Sequence, residues 1–320
     1  MRTCRMMIVG GLALMCAGMP ALAAETDSVL KQTFDLGADR SAEVQYFMMT
    51  SKLMNYTLDG TRLGTDTMRL RLKCVPAKVS GREADQYTCG EFTIEFGGAP
   101  EVAVPALRNW TYDFGSVVEG IDEKGQVFGI DHGRFEKLTD AKGNAIAPDK
   151  LYHIYNAFID FHAFCNAFAC PIGEGGKGVE DLKRIGDRIV HAAASTEAPV
   201  NLGSNIAEGS SFKNGEVTLA FKGLSVVDGT ACAIVAYDSG ESSFQMLTRP
   251  MPNMEVRSVG SSHYLGDIYI DLASRWVKKA TMYEFVVTET KLPMPPNKVN
   301  GVVEREILIR NVGEAEFSAQ

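Results

Sequence analysis

The densest set of side chains able to do chemistry runs from His153 through Asp160, His162 and Cys165 to Cys170. On a helix, His153 and Asp160 fall on one side, seven residues apart, and His162 and Cys165 are neighbours three apart. Imidazole nitrogen and thiolate sulfur are the donors that zinc takes in tetrahedral sites, so His153, His162, Cys165 and Cys170 form one candidate metal set. The competing expectation joins Cys165 to Cys170 as a disulfide ahead of Pro171, which an oxidising compartment favours, and leaves both histidines packed. Cys74 and Cys89 make a second candidate pair on neighbouring strands. Cys232 sits in the apolar stretch Thr230 to Tyr237 and reads as a small core thiol.

Signatures of nucleophilic catalysis do not occur. Gly-x-Ser-x-Gly and His-Glu-x-x-His are missing from the sequence, and Ser261-Ser262-His263 sets hydroxyl beside imidazole along the chain, whereas a triad is assembled in space. The glycine run from Gly173 to Gly178 lacks the Gly-Lys-Ser or Gly-Lys-Thr ending of a phosphate loop and reads as a linker. No cofactor is indicated.

Other residues fit the holding of an apolar guest. Tyr152, Tyr155, Phe158, Phe161 and Phe164 crowd one helical segment, and Met48 and Met254 lie in the strand-rich stretches on either side. Aromatic rings wall cavities and thioethers adapt to irregular guests, though the same side chains also fill ordinary cores.

Those residues must be positioned by elements of two kinds. Ala42 to Met49, Met68 to Cys74 and Tyr87 to Phe96 alternate apolar and polar side chains, the period of a half-buried antiparallel strand. Asp59-Gly60 and Ser80-Gly81 supply turns, and a further hairpin is expected around Asp122 to Gly125. Pro148-Asp149 predicts a helix start, with Asp149 as cap, running to Cys165. A second helix is expected on the stripe Val179, Leu182, Ile185 and Ile189. Strand patterning returns at Glu216 to Lys222, Ala231 to Tyr237, Ser243 to Thr248, Gly266 to Asp271, Lys278 to Thr288 and Val302 to Ile309, with Asn214-Gly215 and Asp228-Gly229 as turns. Leu292-Pro-Met-Pro-Pro296 cannot join a central ladder and is a loop.

The fold class that follows is α+β, mainly antiparallel β. It has two curved sheets, loosely self-similar in a way that fits duplication, and a central helical pair. The expected divisions are a signal peptide over 1–23, a first β unit over 24–147, a helical segment over 148–197, a second β unit over 198–312 and a frayed tail over 313–320.

Composition bounds the setting. The chain has 320 residues, 45% of them hydrophobic and 22% charged, enough for a sizeable core, and its formal charge of −8 offers no net basic field to gather nucleic acid. Arg2 and Arg5 precede an uncharged apolar run from Met6 to Met19, and Ala21-Leu22-Ala23 suits a signal peptidase, so the expected address is periplasmic or secreted. No later stretch is long and apolar enough to predict a membrane-spanning helix.

The second half, through Pro199-Val-Asn-Leu-Gly203, Gly229-Thr-Ala-Cys-Ala-Ile234 and Gly266-Asp-Ile-Tyr-Ile-Asp271, resembles uncharacterised exported bacterial proteins built as curved antiparallel sheets. These are similar to the half-barrel lipoprotein carriers of the cell envelope. The resemblance implies a sheet that wraps a helix and shelters an acyl chain, and it transfers no functional residue. The chain departs from that pattern in its long central helical insert and in Met15, too bulky before Cys16 for a lipid-anchor site. The expectation is therefore a non-enzymatic envelope protein that holds a lipid, another apolar small molecule or an envelope protein partner on a concave sheet. The alternatives are a secreted hydrolase whose site assembles from scattered residues, and a structural interaction module.

Overall fold

Alternation of side chains produces a single dominant sheet. The computed structural model describes residues 28–37, 39–79, 82–83, 85–115, 129–165, 177–191, 196–202, 205–251 and 254–319. In chain order the strands begin with β1 (Gln45–Tyr56), β2 (Arg62–Val75), β3 (Lys78–Val79), β4 (Arg82–Glu83), β5 (Asp85–Glu95), β6 (Val102–Ala103) and β7 (Thr111–Phe114). Helix α1 (Pro148–Cys165) follows, then β8 (Arg188–His191), β9 (Thr196–Glu197), β10 (Ser211–Lys213), β11 (Val217–Val227) and β12 (Thr230–Asp238). The chain closes with β13 (Ser242–Met251), β14 (Met254–Asp271), β15 (Val277–Lys291), β16 (Lys298–Val312) and the short helix α2 (Glu314–Ser318).

Fourteen of these strands form one open sheet with the path β6-β5-β2-β1-β16-β15-β14-β12-β11-β8, and β7, β9, β10 and β13 attach beside it. The two expected sheets are thus one. Strand β1 pairs antiparallel with β16 from Tyr46 opposite Val312 to Tyr56 opposite Val302, which removes an edge from each half and satisfies both ladders.

The helical pair is also corrected. Only the first helix forms as expected, with Pro148 in its first turn and Asp149 following it instead of capping, since Ala147 O accepts from Lys150 N and Leu151 N. The second stretch holds a single 3-10 turn at Val179–Asp181 and then becomes β8. Asp187 Oδ2 accepts from Lys183 N and Arg184 N at 2.8 and 2.7 Å, closing a turn, and Gly186 takes φ +98°. Sheet pairing with β11 then claims the residues that a helix would have used. The tail is ordered too: Phe317 of α2 packs on Tyr46, and Arg71 donates to Phe317 O and Ala319 O.

One sheet face carries the core. Phe47, Met49, Leu70, Leu72, Tyr87, Phe92, Met282, Ile307 and Ile309 are buried there together with nine residues of α1. Turns follow the letters where they are described: Asp228 and Gly229 both have positive φ, as a two-residue hairpin requires. The expected turn at Ser80-Gly81, the hairpin around Asp122 to Gly125, the signal segment and most of the Gly173 linker lie outside the described residues. Among the described residues no helix is long and apolar enough to cross a membrane.

Candidate functional site

The aromatic residues of α1 are brought together, and against the sheet. Phe158 stacks on Phe92 with centroids 5.7 Å apart and meets Trp110 and Phe135. Phe161 packs edge-on to Phe47 and Tyr87, and Phe164 lies 4.6 Å from Tyr237. Tyr155, Phe158, Phe161 and Phe164 are all buried, and Tyr152 is half-buried beside Tyr155. These rings occupy the space between helix and sheet. Met48 sits elsewhere, on the opposite sheet face between Arg71 and Arg310, and Met254 pairs with Met251 at the tip of the β13–β14 hairpin.

Among the described residues, the candidate metal set does not converge. His162 is buried, stacked on Phe114, with its Nε2 2.8 Å from Tyr112 Oη, while His153 lies on the flank of α1 near Lys150, Asp66 and Arg305. Cys89 is a free thiol, which corrects the Cys74–Cys89 pair. The register explains it: Cys74 stands opposite Tyr87 and Cys89 opposite Leu72, so the two are diagonal instead of facing. Burial pushes Cys89 up to about 12 and raises Cys165 further, so neither thiol ionises at neutral pH. Cys170 lies outside the described residues, and with it the Cys165–Cys170 alternative; Cys232 is buried and free. Ser262 and His263 fall on opposite faces of β14 by strand alternation, and His263 Nε2 meets Asp238 Oδ1 at 2.8 Å on the exposed side.

The described geometry draws attention to the inner face where the long strands outrun α1. Register places Asp66, Leu53, Arg305, Glu284 and Tyr264 in one row across β2, β1, β16, β15 and β14. The next row outward holds Val303, Val286 and Ser262, and the one beyond it Gly301, Thr288, Gly260 and Phe244. Phe244 stacks with Phe212 at 6.4 Å, and a Cβ at Gly260 would lie 2.5 Å from its ring, so glycine is what lets that ring settle on the sheet. Val286, Val303, Phe244 and Phe212 are half-buried, whereas Tyr283, Phe285 and Val287 on the other face of β15 are each 48% exposed. The inner side is therefore the sheltered one.

The strip ends against a buried ion cluster. Arg305 Nε donates to Glu284 Oε2 at 2.6 Å, and its two terminal nitrogens donate to the Asp160 carboxylate of α1. Their side chains keep only 12–15% exposure. Burial, with a smaller push from Glu284, raises Asp160 to about 6 against the pull of Arg305. Burial alone would lower Arg305, and the two carboxylates hold it above its usual range. Burial lowers His153 to about 4, helped by Lys150 and Arg305. Lys150 is itself bound to Asp66 at 2.5 Å. A cleft of about 250 Å³ opens beside it, between Phe96, Val102 and Ile146, and a second of about 490 Å³ lies by Asn205, Arg249 and Met251.

No protein-family profile matches the chain, and no curated protein does. Among solved structures, a DUF1329 family protein from Desulfovibrio piger ATCC 29098 is similar over 93% of this chain and 95% of that one, at 10% identity and a TM-score of 0.14. At that score no shared arrangement is demonstrated, and the carrier half-barrel suggested by the sequence gains nothing from it.

Sequence reasoning missed Arg305, Glu284, Val286, Val303 and Phe244. The available signal was parity: Glu284 and Arg305 share the alternation of the apolar Met282 and Ile307, and a charge placed on a core-facing strand position needs a partner.

Proposed function

We propose that the inner strip formed by Val286, Val303, Thr288, Gly260, Gly301 and Phe244 holds an apolar chain, and that the protein is an exported, non-enzymatic holder of such a ligand. The carrying observation is the contrast between the two faces of one strand: Val286 is sheltered while Phe285 and Val287 stand 48% exposed. A half-buried strip with glycine and threonine along it and the stacked Phe212 and Phe244 rings at its side offers apolar contact to a chain laid on it. The aromatic set of α1 fills the space between helix and sheet at the inner end of the strip and is itself core.

Saturable uptake of a fluorescent fatty acyl probe by delipidated protein tests this. Val286→Glu is expected to weaken uptake by about tenfold or more, since it sets a charge against buried methylenes, while Phe285→Glu on the outer face leaves it unchanged. Absence of uptake by the unsubstituted protein, or equal losses from both substitutions, would overturn the assignment.

A further inference from the structure

Among the described residues, the inner end of the strip has an unbalanced charge. Arg305 faces two carboxylates, Asp160 and Glu284, and the neighbouring cation Lys150 is engaged by Asp66 and Asp149. His153, the other basic group facing the cluster from α1, is held neutral at pH 7 by burial. Tyr237 also faces the cluster, and burial first, then Asp160, keeps it protonated. One negative charge in excess in a site this dry is costly unless a cation arrives.

A second observation lies one register step outward. The Ser262 hydroxyl, on a residue only 4% exposed, has no hydrogen-bond partner. Ser262 stands opposite Val286, which makes it the diagonal neighbour of Glu284 on the same face. Diagonal positions of adjacent strands are about 7–8 Å apart, close enough for one small donor group to reach both side chains. A buried hydroxyl left unpaired is costly, so a ligand group that pairs it gains affinity.

We propose that the guest is a single-chain amine whose primary ammonium group sits among Glu284, Asp160 and Ser262 while its hydrocarbon runs outward over Val286, Val303 and Gly260. The inference rests on the reading of the strip as a chain-holding groove. An ammonium supplies the missing positive charge and an N–H for the Ser262 oxygen; a carboxylate head would add a third negative group, and a neutral alcohol would leave the charge uncorrected.

Competition of dodecylamine, dodecanol and dodecanoate against the acyl probe, on the full chain at pH 7.5 and below aggregation concentrations, tests it. The amine is expected to bind at least about tenfold tighter than dodecanoate, and dodecyltrimethylammonium, which lacks N–H donors, more weakly than the amine. Glu284→Gln should bring amine and dodecanoate within about threefold of each other. Because that change also deprives Arg305 of a partner, Ser262→Ala provides a milder variant that should weaken the amine alone. Dodecanoate or dodecanol binding as tightly as the amine overturns the head-group assignment and leaves the groove standing. Failure of every chain to bind overturns both.

Discussion

Asp160 and His153 share one flank of α1 but respond to burial with opposite signs, which makes their pH behaviour separable. Asp160 is raised to about 6, so its protonated form suits the fold; its contribution is full below its unfolded value near 4 and is lost as pH rises through 6. His153 is lowered to about 4, so its contribution is present above its unfolded value near 6.5 and is lost as pH falls through 4. Each is on the order of 3 kcal/mol at full extent, and between pH 4 and 6 they oppose each other. Urea denaturation across that window should show little net slope from this site in the unsubstituted protein. Asp160→Asn should then lose stability as pH falls, and His153→Gln should gain it; parallel profiles for all three proteins would refute the assignment. Arg305→Ala, which strands two buried carboxylates, is expected to cost about 3–5 kcal/mol by the same measurement. None of this cluster was legible in the sequence as a unit. Asp160 and Arg305 are 145 residues apart and meet only through the register of β16 under α1, whereas the three- and four-residue spacing of Tyr155, Phe158 and Phe161 announced a buried helical face directly.

At the scale of elements, strands and α1 were readable because each carries its own period, and the failures have local causes. The stripe Val179, Leu182, Ile185 and Ile189 has helical spacing, yet Gly186 at positive φ and the Asp187 turn divert it to the sheet edge, where β11 supplies ladder bonds. Strand β14 begins at Met254, ahead of the expected Gly266, because Gly260, Ser261 and Ser262 break the apolar alternation while keeping the ladder. Gly266 has a packing reason: a Cβ there would lie 1.8 Å from Thr281 O, so Gly266→Ala is expected to destabilise the fold severely, read as a lowered denaturation midpoint. Phe158→Ala removes the ring between Phe92, Trp110 and Phe135 and should cost about 3–5 kcal/mol in the same assay. The thiols give an independent check on β2 and β5. Cys89 and Cys232 should resist a thiol reagent in the native protein and react in denaturant without reductant. Protection that persists in denaturant for Cys74 and Cys89 would reinstate the disulfide.

For the molecule as a whole, the antiparallel β-rich class was legible and the number of sheets was not, because no local pattern tells β1 that its partner is β16, at the far end of the chain. Strands β14, β15 and β16 pair side by side over most of their length, and their excess beyond α1 forms the sheltered strip. A guest lying there should gain with chain length, up to about 0.8 kcal/mol for each methylene that is fully covered, until the strip is exhausted. The location of the guest is the point on which the account turns. A photoreactive diazirine fatty acid, irradiated with the intact protein and mapped by peptide mass spectrometry, is predicted to label Val286, Thr288, Val303 and Phe244. Labelling concentrated on Tyr283, Phe285 and Val287 of the outer face, or spread without preference, would contradict it.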